Sequence, residues 1–298
     1  MGAILIVGRQ DDPCCQRVRQ RLVEQGRDVA LVPEDRLLPG LGFAWKPGGA
    51  GAEGSVGYNG RKIRFAEVDA ILSRAWSVPV SPQAFETGDG RYVCAEWNAL
   101  LMAWLHAMPC IVVNRLRPEL WYKAQLNPAD LASLVSPMRF RLPRSLVTTN
   151  LDDANGFCRS VRGATRYSPL TGASRYRIQT ETDREKLAAL NGSLPLHLTE
   201  AIEGRAVEAF VVPPEVLFVD AAGQLIAEGC DAVAGHCAEI ANALGLGFCR
   251  LALVDARDGD WYCLGVDRAP QLYDCATETQ DRIASALARA LAPAAGPK

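Results

Sequence analysis

Ala3-Ile4-Leu5-Ile6-Val7-Gly8-Arg9-Gln10-Asp11-Asp12-Pro13-Cys14-Cys15 is the stretch on which the fold turns. Ala3–Val7 is a short apolar run and reads as a strand. Asp12 then has the chemistry of a helix N-cap, and Pro13 suits the first helical position, where its missing N–H costs nothing. The helix is expected to run to Gln25 and stop at Gly26, with Asp28–Val32 as the next strand. This β-α-β order implies a parallel, Rossmann-like sheet. Cys14 and Cys15 fall in the first helical turn, where a thiol can be acidified by the helix dipole; inward packing is the simpler expectation.

Outward from this unit the pattern continues. Gly40–Gly60 is glycine-rich but lacks a phosphate-binding G-x-G-x-x-G between strand and helix, so it reads as a loop or loose hairpin. Val68–Leu72 is a strand leading into Ser73-Arg74-Ala75-Trp76. Arg91–Ala107 has helical period, with Leu100, Leu101, Trp104 and Leu105 on one face. Cys110–Val113 is a strand ending at Asn114. Glu119–Leu126 reads as a helix carrying Lys123. Ser145–Thr149 is a strand, and Asn150 caps a helix to about Ser160.

The second half changes to short strands at Tyr176–Ile178, Leu196–Thr199, Val207–Val212 and Val216–Val219. Asp231–Leu244 is a helix stopped by Gly245. Phe248–Val254 and Trp261–Val266 form a hairpin about Asp258-Gly259, a strong turn signal. Thr277–Leu291 is an alanine-rich closing helix. The fold class is therefore α/β, shifting to α+β in the C-terminal half.

Composition sets the outer bounds. The 298 residues suit about two domains, and 49% hydrophobic with 22% charged residues supply a sizeable core. A net charge of −2 leaves no basic surplus to neutralise a phosphate backbone, which argues against nucleic acid. The first residues lack a basic region and a long apolar core, so no secretory signal is expected. The apolar stretch Ala99–Val113 is too short to span a membrane. Ten cysteines without a C-x-x-C pair fit reduced thiols in a cytoplasmic protein. Cys230, Asp231, His236 and Cys237 fit no common zinc spacing.

The order of motifs resembles the ATP-grasp superfamily. The residues that carry the likeness are Arg74-Ala75-Trp76, Val113-Asn114, Lys123, Leu142-Pro143-Arg144-Ser145-Leu146-Val147-Thr148-Thr149-Asn150, the Glu200-Ala201-Ile202-Glu203-Gly204 segment and the Gly245-Leu246-Gly247 helix end. The branch most resembled is the peptide-maturing (microviridin-type) and glutamate-adding ligases. The resemblance implies an N-terminal Rossmann-like domain over 1–115, a central ATP-grasp subdomain over 116–192 and a C-terminal one over 193–298. It also implies a peptide or small-molecule ligand in an inter-lobe cleft, and a homodimer.

Ligases of this family phosphorylate a carboxylate with ATP and pass the acyl group to an amine. Mg²⁺, held by oxygen ligands, and lysines offset the phosphate charge. By resemblance Lys123 is the first phosphate lysine. Backbone groups at Glu200, Ala201 and Ile202 form an adenine hinge, and Glu203 binds the ribose. Other positions depart from the pattern. Ser168 stands where a second lysine is expected, and Glu208 where an arginine is. Ala252 and Gly265 stand at two metal carboxylates, leaving Asp267 as the one weak metal ligand. A register shift to recruit Asp255 would turn its side chain to the other face.

Three functions follow. The first is a divergent protein that binds ATP with Mg²⁺ weakly or not at all and serves as a binding or accessory protein. The second is an active carboxylate–amine ligase with displaced ligands, in which Arg166 or Arg175 supplies the missing charge. The third is an ATP-independent enzyme using Cys14, Cys15, His236, Arg74 or Tyr167. Arg74, at a parallel strand's C-terminal end, is placed to hold a carboxylate in the sheet's crevice.

Overall fold

The computed structural model describes residues 2–34, 42–46, 53–75, 88–115, 128–138, 140–161, 164–168, 170, 176–190 and 193–292. Strand β1 (Ala3–Gly8) leads to helix α1 (Pro13–Glu24) and strand β2 (Val29–Pro33). Asp12 caps α1 by accepting from the Cys14 N–H, with Pro13 inside the first turn as the sequence implies. Strands β6 (Val68–Ser73) and β7 (Ile111–Val113) complete a parallel sheet of order β2-β1-β6-β7.

Both faces of this sheet are covered, which is why β1 is apolar at every position. Ile4 and Ile6 pack with Val18 and Leu22 of α1 and with Ile283 and Leu287 of the closing helix. Leu5 and Val7 pack on the other side, against Leu101, Trp104 and Leu105 of helix α2 (Gly88–Ala107). Beside α2 lies a small antiparallel sheet of β3 (Ala44–Lys46), β4 (Glu53–Tyr58) and β5 (Arg61–Arg64). β3 and β4 both lie in the glycine-rich stretch and pair antiparallel, the hairpin alternative of the sequence reading. Phe43, Phe65 and Trp104 close its core with ring centroids 5.5–5.6 Å apart. The predicted helix over Glu119–Leu126 lies outside the described residues.

Helix α3 (Pro128–Val135) precedes a central antiparallel sheet of order β10-β9-β11-β8. Its strands are β8 (Ser145–Thr148), β9 (Thr165–Ser168), β10 (Tyr176–Ile178) and β11 (Leu196–Glu200). Helices α4 (Leu151–Ser160) and α5 (Glu181–Leu190) pack one face around Tyr167, Leu187, Leu196 and Leu198. Residues 201–203 then lead into a second antiparallel sheet, of order β13-β12-β14-β15. It comprises β12 (Gly204–Val212), β13 (Glu215–Val219), β14 (Cys249–Ala256) and β15 (Trp261–Asp267). Helix α6 (Asp231–Ala243) covers one of its faces and α7 (Thr277–Leu291) part of the other.

The N-terminal sheet and the C-terminal sheet share one core. Ile4, Ile6 and Val18 belong to the same buried cluster as Phe210, Val212, Phe248 and Leu287. Arg17 of α1 reinforces the junction through Gln280 (2.8 Å) and Asp281 (2.6 Å) of α7. The central sheet keeps its own, smaller core. Among the described residues no helix is long and apolar enough to cross a membrane. All ten cysteines are thiols rather than disulfides.

Candidate functional site

At the carboxyl end of the parallel sheet the chain leaves β6 through Arg74, whose N–H donates to the Val7 carbonyl at 2.7 Å. Arg74 is only 7% exposed. Its Nε donates to Asp12 Oδ2 at 2.9 Å and its Nη2 to the Pro270 carbonyl at 2.8 Å, with the guanidinium 5.8 Å above the Phe248 ring. The carboxylate that Arg74 grips in this structure is the protein's own Asp12. Gly8 makes this possible, because a Cβ there would lie 2.7 Å from Arg74 Cβ and 2.8 Å from Cys15 Sγ. Asn114, 3% exposed at the end of β7, ties the same lobes. Its Nδ2 donates to the carbonyls of Phe248 (2.5 Å) and Arg268 (2.9 Å), and its Oδ1 accepts from the Phe248 N–H (2.7 Å). Burial pushes the Cys14 thiol up to about 11 and raises Cys15 further, opposite to what an activated nucleophile needs.

The face of the central sheet that α4 and α5 leave free is polar. Strand alternation puts Arg166, Ser168, His197 and Thr199 on it, away from the helix-covered face that holds Tyr167. Tyr167 is buried there against Tyr176, with ring centroids 6.2 Å apart, and does not join the polar face. Ser168 Oγ lies 3.0 Å from His197 Nδ1. Arg166 faces Arg177 directly across the ladder. Burial and then the Arg177 charge lower the Arg166 pKa. Lys123, Arg175 and Trp76 lie outside the described residues.

In the hinge, the Glu200 N–H donates to the Arg144 carbonyl (2.9 Å) and the Ala201 N–H to that of Ala164 (2.8 Å), so both point back into the central sheet. Ile202 is half-buried and Glu203 exposed. The Glu203 carboxylate meets Arg257 at 3.5 Å in a solvated pair. Gly204 opens β12 where a Cβ would collide with the Asp255 carbonyl, so glycine is required for the close approach of β14.

The C-terminal sheet carries the remaining residues. Ala252 lies directly opposite Gly265 across the β14–β15 ladder and opposite Glu208 across the β12–β14 ladder. Arg250 lies opposite Asp267. These five residues share the face that α7 leaves uncovered, since Val207, Ala209, Cys249 and Leu251 point to the α6 side. Arg250 Nη1 lies 3.2 and 3.3 Å from the two Glu208 carboxylate oxygens, and Nη2 lies 3.0 Å from Asp267 Oδ2. Asp267 Oδ1 accepts from the Ala269 N–H at 3.0 Å. Asp255 bonds Arg205 at 3.0 Å, and the same Arg205 nitrogen reaches Cys230 at the start of α6, which puts Asp255 on the other side of the sheet.

Mg²⁺ needs several hard oxygen ligands in near-octahedral array. Ala252 and Gly265 offer none from their side chains. Glu208 and Asp267 already neutralise a guanidinium. Among the described residues no cluster of three or more His, Cys, Asp or Glu is arranged to hold a metal ion. That includes Cys230, Asp231, His236 and Cys237: His236 pairs with Glu239 at 3.2 Å, and Cys237 is buried in the core with its thiol pKa raised. The described residues do not fit the metal that the resemblance implies.

Sequence reasoning missed the Glu208–Arg250–Asp267 cluster, the Ser168–His197 pair and the Asn114 staple. The first had a signal: alternation alone places residues 250 and 252 on one face of a strand. The other two depend on pairings between distant strands, which one sequence does not reveal.

No protein-family model matches the chain, and no curated protein matches it by sequence. Solved structures do match. A RiPP-associated ATP-grasp ligase from Chryseobacterium gregarium, in complex with ADP and a leader and core peptide, superposes with a TM-score of 0.78 at 15% identity, covering 98% of this chain and 96% of that one. The macrocyclase MdnC from Microcystis aeruginosa MRC, bound to its precursor peptide MdnA, gives 0.80 at 13% identity over 98% and 99% of the two chains. The ATP-grasp ligase PsnB, complexed with precursor peptide PsnA2 and AMPPNP, gives 0.77 at 21% identity over 97% and 95%. Nearly the whole chain overlies nearly the whole of each enzyme, and its fold is that of the ATP-grasp ligases.

Proposed function

We propose that this chain is a divergent ATP-grasp protein, impaired in ATP- and Mg²⁺-dependent ligation, that works as a binding or accessory protein in peptide or small-molecule modification. The observation that carries this reading is the Ala252–Gly265 pair, a facing couple without a carboxylate where the resemblance implies two. Ser168 supports it, because its hydroxyl bonds His197 and offers a phosphate no positive charge. The peptide side of the reading rests on the fold neighbours, one of which is described with leader and core peptide and another with a precursor peptide. The ligand would lie between the lobes, at the polar sheet faces that α4, α5 and α7 leave free, since clefts between lobes are the usual binding places.

A second reading, an active carboxylate–amine ligase with displaced ligands, draws on Arg166 and Arg177. Like charges directly opposite on a sheet repel, and an anion bound between them would relieve that. Calorimetric titration with ATP, with and without Mg²⁺, separates the two. The first reading expects no Mg²⁺-dependent binding at millimolar ATP. Micromolar binding that requires Mg²⁺ would overturn it and direct attention to carboxylate and amine substrates.

A further inference from the structure

The face of the C-terminal sheet that α7 leaves free contains an arginine between two carboxylates, and the geometry accounts for both its charge and its position. Arg250 precedes Ala252 by one alternation and points to the same side. Its two terminal nitrogens are divided: Nη1 serves Glu208 on β12 and Nη2 serves Asp267 on β15. The guanidinium of Arg250 on β14 thus bridges β12 and β15 on this face. The carboxylates are about one-third exposed and the arginine side chain somewhat less, at 27%. A planar guanidinium is the side chain best matched to two carboxylates at once, and unlike an ammonium it does not lose its proton.

We propose that Arg250 is the resident cation of this face, standing in for the divalent metal. It holds Glu208 and Asp267 in place without ligand, leaves no vacancy for Mg²⁺, and masks a two-carboxylate cation site that appears when its charge is removed. The proposal rests on the reading of the chain as impaired in Mg²⁺-dependent ligation and supplies a physical cause for it.

Mn²⁺, followed by water-proton relaxation on the nucleotide-free full chain, tests this, because carboxylates accept Mn²⁺ as they do Mg²⁺. The native protein is expected to give no saturable binding at Asp267 up to millimolar Mn²⁺. Arg250→Met and Arg250→Gln are each expected to tighten Mn²⁺ binding at least about tenfold. Adding Asp267→Asn to either should abolish the gain. Two variants of different polarity are used so that a folding defect in one leaves the other to report, and Asp267→Asn alone supplies the native-sequence control. Native binding of Mn²⁺ that Asp267→Asn removes would overturn the proposal, as would the absence of any gain in folded Arg250 variants. The functional reading fails separately: Mg²⁺-dependent ATP binding by the native chain refutes it, whereas a failed Mn²⁺ gain with no ATP binding refutes only the role of Arg250.

Discussion

Replacing Arg74 with methionine keeps most of the side chain's length and removes its charge. In the native protein the guanidinium neutralises Asp12, itself 4% exposed, and satisfies the Pro270 carbonyl. In Arg74→Met the Asp12 carboxylate keeps its bond from the Cys14 N–H but stays buried without a counter-charge. Removing one partner of a buried ion pair costs about 3–5 kcal/mol. An unsatisfied buried carbonyl adds about 1–3 kcal/mol unless water reaches it. A loss of at least about 4 kcal/mol is a large share of the roughly 5–15 kcal/mol that holds a domain folded. Urea unfolding followed by circular dichroism reads it directly. Asp12→Asn supplies the control, because asparagine is as good an N-cap. The double variant Arg74→Met/Asp12→Asn should be more stable than the sum of the single losses by at least about 2 kcal/mol. Arg74→Met within about 1 kcal/mol of native would refute the reasoning. So would unchanged stability together with lost binding of a carboxylate ligand, which would return Arg74 to the crevice.

Asn114→Ala strips three buried hydrogen bonds between the lobes and should cost about 2–4 kcal/mol. Asn114→Asp should cost more, because it sets a carboxylate against two carbonyl oxygens; equal unfolding midpoints for native and both variants would refute the staple. Burial raises Cys14 to about 11 and Cys249 to about 12, so above the ordinary thiol value of about 9 the unfolded chain loses these protons first. Stability is then present in full below about pH 8 and falls as pH rises, by about 2 kcal/mol for the pair between pH 9 and 10. Urea midpoints at pH 8, 9 and 10 that do not fall would contradict this. Ser168→Lys, Ala252→Asp and Gly265→Glu, combined with Arg250→Met, should create Mg²⁺-dependent ATP binding measurable by calorimetry. No gain in a folded quadruple variant would count against the strand register drawn for the metal positions.

Elements whose signals are local were legible. The strand over Ala3–Val7, the Asp12-Pro13 helix start, the Asn150 cap and the Asp258-Gly259 hairpin each carry their own chemistry within a few residues. Helix α5 was missed because its residues are mostly polar and offer little apolar period. Its signal lay in Thr180-Glu181-Thr182-Asp183, where the Asp183 carboxylate takes the Thr180 N–H at 2.9 Å and the Thr180 hydroxyl takes the Asp183 N–H at 3.2 Å. Strand β9 was missed because Thr165-Arg166-Tyr167-Ser168 alternates without an apolar residue beyond Tyr167, and β11 supplies the pairing that defines it. Arg74 shows the limit for sites. Its place at a strand end was legible, but its partners lie 62 and 196 residues away. The same sequence position suits a ligand clamp or an internal tie, and the contents of the crevice decide between them.

The frame and the charges of this molecule have different causes. The frame rests on apolar packing that is indifferent to ATP: one core joins the parallel sheet, α1, α7 and the C-terminal sheet, and Arg74 and Asn114 pin it at the lobe junction. None of those residues needs a nucleotide to be satisfied. The faces that α4, α5 and α7 leave free carry polar and charged side chains instead. A serine bonds a histidine, two arginines oppose each other, and a third arginine lies between two carboxylates. A change on such a face removes little buried apolar area, so it costs the fold little. The ATP-grasp fold therefore rests on this packing, to which the polar residues of these faces contribute little. It follows that exchanging residues 168, 250, 252 and 265 should alter ligand and metal binding far more than it alters the unfolding midpoint, whereas Arg74 and Asn114 should do the reverse.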